Sequence, residues 1–139
     1  HASVDIMDAL RYAPGAWLSR VECWGDVEEQ DDKLVCRHRR VIACADATMM
    51  LHEAACHCAE DALTAAKVKD ERSWNAIAVK RAWMKGEATD EELEAARGAA
   101  WEAAWGAAWG AAWEAAREAQ SVYLTVEAYK MLGIKEVTK

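Results

Sequence analysis

Apolar residues recur at helical spacing through most of the chain. Val4, Met7 and Leu10 share one face, Ser3 or Asp5 can cap the start, and Pro14-Gly15 ends the run, which predicts a short helix. "AWLSRVECWGD" (16–26) reads as a second short helix stopped at Gly25, and the acidic stretch 26–32 follows as a loop. From 32 to 67 no glycine or proline intervenes. Leu34, Val41, Met49, Leu51 and Leu63 supply the apolar positions of one long helix, or of two joined by a kink. Asp70 or Ser73 can cap the next helix, over 70–86. There Trp74, Ile77, Ala78, Arg81 and Ala82 follow the 3.6-residue period, and Gly86 is the stop. "TDEE" at 89–92 is a capping box: the Thr89 hydroxyl can accept from the amide at 92, and Glu92 can reach back to the amide of Thr89. The next strong stop is Gly133, so one helix is expected over 89–132, roughly 65 Å long at about 1.5 Å per residue. "SVYLTVEAY" (121–129) has some β character, which the end of a well-packed helix tolerates. The expectation is a single all-α domain, 1–139, a helical bundle with the long C-terminal helix as its central element.

That last segment carries an unusual repeat. Trp101, Trp105, Trp109 and Trp113 recur every fourth residue, with alanine and glycine filling nearly all the positions between. A four-residue step overshoots a full turn by about 40°, so the four indoles spread over about 120° of the helix surface. Glu102, Gly106, Gly110 and Glu114 form a separate stripe about 100° away. Alanine and glycine let a neighbouring backbone approach closely, while the indoles reach across adjacent helices. The Trp ladder is therefore expected in the core or at an interface between copies.

Composition supports helix and restrains function. One proline and seven glycines leave few turns, and tryptophan provides eight of eleven aromatics in a chain without phenylalanine. His1 in place of methionine suggests that "HAS" is a tag remnant, and no signal peptide is visible. A net charge of −7 argues against nonspecific binding to nucleic acid or to an anionic membrane surface. The basic run "CRHRR" (36–40) is short and is expected to pair with the acidic loop before it. Residues 99–116 include only Glu102 and Glu114 as charges, but carboxylates are costly in a span and the wet face lacks the cations of an interfacial helix. The five cysteines are odd in number and do not follow a secreted framework, so reduced thiols in a cytoplasmic protein are expected.

The segment "MMLHEAACHCAED" (49–61) is the one place where metal chemistry can be sought. His52 and Cys56 are one helical turn apart and could share an ion, whereas Cys56 and Cys58 point about 200° apart on a helix. No second pair completes a tetrahedral set, so the thiols read as small apolar groups, with His52, Cys56 and Cys58 as the metal candidates to be checked. No oxyanion-forming loop or phosphate-cradling loop accompanies the Cys–His pair. We therefore expect no catalytic residues, no cofactor and no enzyme activity.

Residues 56–116 resemble a family of small alanine-rich bacterial and phage proteins, many labelled as immunity proteins. The resemblance rests on a C-x-C-A-E start (Cys56 to Glu60), an A-I-x-x-x-R-A-W-x-x-G-E segment (Ala76 to Glu87), an acidic E-E-L helix start (Glu91 to Leu93), and a repetitive helix from Ala95 onward. It departs from the family where tryptophan and glycine replace arginine and histidine in that helix, and it does not extend to residues 1–50. It implies a protein that binds and neutralises a toxin or defence component, and it implies no catalytic residues. The functional expectation is a non-catalytic protein that binds another protein. The alternatives are a scaffold that homo-oligomerises through the Trp101–Trp113 ladder, packed on Gly106 and Gly110, and a Cys/His metal-binding protein.

Overall fold

The structure, a computed structural model, describes residues 2–104 and 113–134, with side chains over 2–102 and 119–134. Its elements are α1 (Ile6–Tyr12), β1 (Trp17–Trp24), β2 (Glu28–Glu29), β3 (Leu34–Val35), β4 (His38–Asp46), α2 (Thr48–Ala65), α3 (Glu71–Met84), α4 (Asp90–Ala104) and α5 (Trp113–Met131). The protein is mixed α/β, not an all-α bundle. It divides into two compact units, His1–Leu51 with Gln120–Lys139, and His52–Ala119.

The first unit is built on an antiparallel ribbon of β1 and β4, running from Trp17 opposite Asp46 to Trp24 opposite His38. The register shifts between Arg20 and Val21, leaving Ile42 without an opposite residue. The half-buried positions of β1 are Leu18, Val21 and Cys23. The step from Leu18 to Val21 is three residues because of this irregularity, and three is also a helical spacing. That coincidence is why 16–26 reads as helix and folds as strand. A bond from Ala47 N–H to the Ala16 carbonyl, 2.8 Å, closes the ribbon's base. β2 and β3 form a second small antiparallel pair, which Ala2 extends through a bridge to Leu34. Asp5 caps α1 by accepting from the Met7 amide at 2.7 Å, and the Ser121 hydroxyl of α5 donates to the same carboxylate. Ile6, Ala47, Leu124 and Ala128 are its buried apolar residues.

The long helix expected over 32–67 is also corrected. Its first part, through Asp46, holds β3 and β4, and helix begins only at Thr48, where the Asp46 carboxylate accepts from the Thr48 amide at 2.9 Å. An "Asp-x-Thr" start was thus present inside an apparently unbroken run.

In the second unit the helical signals act as expected. Asp70 caps α3 by accepting from the Arg72 amide at 3.0 Å. Gly86, at φ +74°, ends it in a left-handed turn that lets Glu87 N–H reach the Ala82 carbonyl. The capping box forms in full: Thr89 N–H donates to Glu92 at 2.8 Å, and Glu92 N–H to the Thr89 hydroxyl at 3.2 Å. The Trp83 indole N–H donates to Asp90 at 2.7 Å, tying the end of α3 to the start of α4. Ala54, Cys56, Ile77, Leu93 and Ala96 are buried. The single central helix expected over 89–132 is replaced by α4 and α5, and residues from Gln120 on belong to the first unit. Gly133, at φ +62°, is the stop foreseen for that segment.

Candidate functional site

Four large apolar side chains of the ribbon are exposed. Trp17 is 68% exposed, Trp24 46%, Val41 53% and Ile42 52%. Cross-strand pairing fixes where these side chains sit. Trp24 stacks on its opposite residue His38, with ring centroids 5.6 Å apart. Next to them Arg40 pairs with Glu22 across the strands, and Arg37 pairs with Asp26 at 3.0 Å. The second of these ion pairs joins the basic run to the acidic loop. Further along, the Ser19 hydroxyl donates to the Cys44 sulfur at 3.2 Å. Among the described residues, neither β1 nor β4 pairs along its outer edge with a further strand. The inner side of the ribbon, α1 and the end of α5 bound an open crevice of 1020 Å³, with Leu10, Leu18, Val21, Leu51, Ala128 and Leu132 among its walls. The ribbon thus borders incompletely filled apolar space, whose walls also include Trp17 and Val41, and it exposes Trp24 and Ile42 as well.

The residues singled out for metal or thiol chemistry lie on α2. The His52 ring meets Trp83 edge-on, centroids 5.5 Å apart, and the Lys80 ammonium lies 3.9 Å over the same indole. Burial, and then the Lys80 charge, lower the His52 pKa and favour the neutral ring. Cys56 is 4% exposed. Burial first, and the Glu53 carboxylate second, push its thiol pKa up. Cys58 is raised by burial and then by Asp61. Neither sulfur is activated as a thiolate. Beside them the Arg81 guanidinium of α3 forks between two α2 carboxylates. It donates to Glu53 at 2.7 and 2.9 Å and to Glu60, which it holds below the ordinary carboxylate pKa. This is a helix-to-helix clamp. Among the described residues no three histidine, cysteine, aspartate or glutamate side chains converge to hold a metal, and His52, Cys56 and Cys58 are not gathered into one site.

Of the Trp ladder, Trp101 is described and is 64% exposed. Trp105, Trp109, Gly106 and Gly110 lie outside the described residues, as does the side chain of Trp113. No described helix is long and apolar enough to cross a membrane. The ribbon is the feature that sequence reasoning missed. Its available signals were the β-branched pair Val41-Ile42 and the Asp46–Thr48 helix start that bounds the strand.

No family model, curated protein or solved structure matches the chain.

Proposed function

We propose that the protein acts by binding another protein through the exposed β1–β4 ribbon, without catalysis and without a cofactor. The observation that carries this reading is the set Trp17, Trp24, Val41 and Ile42, all substantially exposed on one two-stranded element. Tryptophan and arginine are the side chains most enriched where interfaces concentrate their energy, and Arg40 and Arg37 flank the exposed apolar residues. An unpaired strand edge adds main-chain donors and acceptors that an extended partner segment can satisfy. The net charge of −7 fits a cytoplasmic protein that engages neither nucleic acid nor an anionic membrane. On the family resemblance of residues 56–116, the partner is a toxin or defence component whose working surface the ribbon covers.

The test is retention of a partner from an extract of the cells that naturally make the protein. The immobilised chain retains a stoichiometric protein, and Trp17→Ser with Ile42→Ser loses it while circular dichroism is unchanged. Equal retention by that variant contradicts the reading.

A second reading draws on Trp101, which is 64% exposed on α4. On that reading the Trp101–Trp113 ladder joins copies of the protein, and light scattering shows an oligomer that Trp101→Ser dissociates. A monomer at micromolar concentration removes it.

A further inference from the structure

The open crevice of 1020 Å³ is lined by residues that all belong to the first unit. Leu10 of α1, Val21 and Val41 of the ribbon, Leu51 of α2 and Leu132 just after α5 are among its walls. Exposed apolar side chains gather at it: Val4, Tyr12, Trp17, Val27 and Tyr129 line the crevice and are open to solvent, as Val41 is. Its charged residues are mostly cations, with Arg20, Lys33 and Arg39 set against Asp5. The Asp5 carboxylate is engaged by the Met7 amide and the Ser121 hydroxyl. The Lys33 ammonium lies 5.6 Å over the Tyr12 ring, whose hydroxyl donates to Asp32. Arg20 and Arg39 are both exposed, so the ribbon side of the crevice carries open positive charge on a chain whose net charge is −7.

We propose that the crevice binds a free fatty acid, with the alkyl chain along the apolar walls and the carboxylate at the mouth beside Arg20 and Arg39. The volume is close to the upper end of the roughly 300–1000 Å³ of small-molecule sites, which suits one enclosed ligand rather than a macromolecule. An alkyl chain asks for no hydrogen bonds, so walls of leucine, valine and tryptophan satisfy it, and each apolar surface it covers leaves water. The head group is anionic because the cations outnumber the carboxylate there and that carboxylate is already taken. Guanidinium groups meet a carboxylate with paired, charge-assisted N–H···O bonds. The ligand is the free acid and not a bilayer lipid, because a net charge of −7 opposes approach to an anionic membrane surface. Once bound, it covers the exposed side chains of Trp17 and Val41 that border the crevice. Trp24 and Ile42 stand outside the crevice, so the inference goes beyond the protein-binding reading and does not rest on it.

The experiment is titration calorimetry of the folded full chain with decanoate, below its micelle concentration, and with decanol. The expected result is saturable binding of one decanoate per chain, with decanol roughly tenfold weaker because it lacks the charge-assisted bonds. Arg20→Gln combined with Arg39→Gln removes the difference between the two ligands. On irradiation, a decanoate carrying a diazirine near its chain end labels peptides within 2–51 or 120–134, and unlabelled decanoate competes the label away. Absence of saturable binding, equal binding of decanol by the unaltered chain, or competed label confined to 52–104 overturns the proposal. So does binding to anionic phospholipid vesicles with none to the free acid. The unaltered chain decides the matter whether or not the variant folds. No protein partner takes part, so failure here leaves the ribbon's protein-binding role standing.

Discussion

The helices of the second unit and the ribbon of the first are held together by different kinds of information. The starts of α3 and α4 in the second unit are fixed by groups a few residues apart: Asp70 with the Arg72 amide, Thr89 with Glu92 in both directions, Asp90 with Trp83. The ribbon joins Trp17 to Asp46 and Trp24 to His38, so its pairings close over a long intervening segment. It leaves Trp17, Val41 and Ile42 largely in water, where the helices bury Ile77, Leu93 and Ala96. An element that exposes several apolar side chains beside an unfilled crevice has more to gain from a second molecule than helices that bury Ile77, Leu93 and Ala96.

The largest expected effect comes from truncating each side of this contrast. Ile77→Ala should cost about 2–4 kcal/mol in urea unfolding, because Ile77 is 8% exposed and its methyl groups leave a cavity. Val41→Ala on the ribbon should cost less than about 1 kcal/mol. Equal costs would erase the distinction between the units. Next is the clamp: Arg81→Ala leaves Glu53 and Glu60 facing each other without their shared cation. It should cost about 1–2 kcal/mol, a figure reduced from that of a buried pair because all three side chains are partly exposed. High salt should narrow the difference between the two proteins.

The ribbon has its own sensitive point. Gly25 sits at φ +73°, and an added Cβ would lie 3.1 Å from the His38 ring and 3.2 Å from Cβ of Arg37. Gly25→Ala should therefore cost about 1 kcal/mol and loosen the Trp24–His38 stack, detectable as faster amide exchange at 22–24 with 71–84 unaffected. Equal exchange at both places would show the ribbon to be coupled to the helices. The smallest effect is one of pH. Hydrogen bonds from Arg72, side chain first and then backbone amide, hold the Asp70 pKa down to about 2. Since the folded value is the lower one, the cap's contribution is present above about pH 4 and is lost as pH falls from there towards 2. In Asp70→Asn the melting temperature should fall less steeply across that window than in the unaltered chain.

What could be read from the chain follows the same division. The caps at Asp5, Asp70 and Thr89 and the stops at Gly86 and Gly133 were all legible, because side-chain capping and left-handed glycine turns act within a few residues. The strands were not. β1 carries its half-buried side chains at Leu18, Val21 and Cys23, and the register shift converts an alternating pattern into one that mimics a helical turn. In β4 the alternation is masked by alanine and cysteine at Ala43, Cys44 and Ala45, small enough for either structure. The unbroken alanine background from 32 onward gave no punctuation, and Asp46 as a helix cap was hidden within it. The candidate binding face was invisible for the same reason, since its residues come together only through the pairing of β1 with β4. Trp101 was noticed for its repeat and is 64% exposed: periodicity reports a shared helix face and not what covers it.

The most direct test of the ribbon as the binding element is amide hydrogen exchange on the chain alone and on the complex captured from native extract. The account predicts new protection in peptides covering 17–24 and 38–46, with 71–84 unchanged. Protection gained instead along 90–104, with the ribbon exchanging as it does in the free chain, would contradict it and transfer the binding role to the Trp101 face.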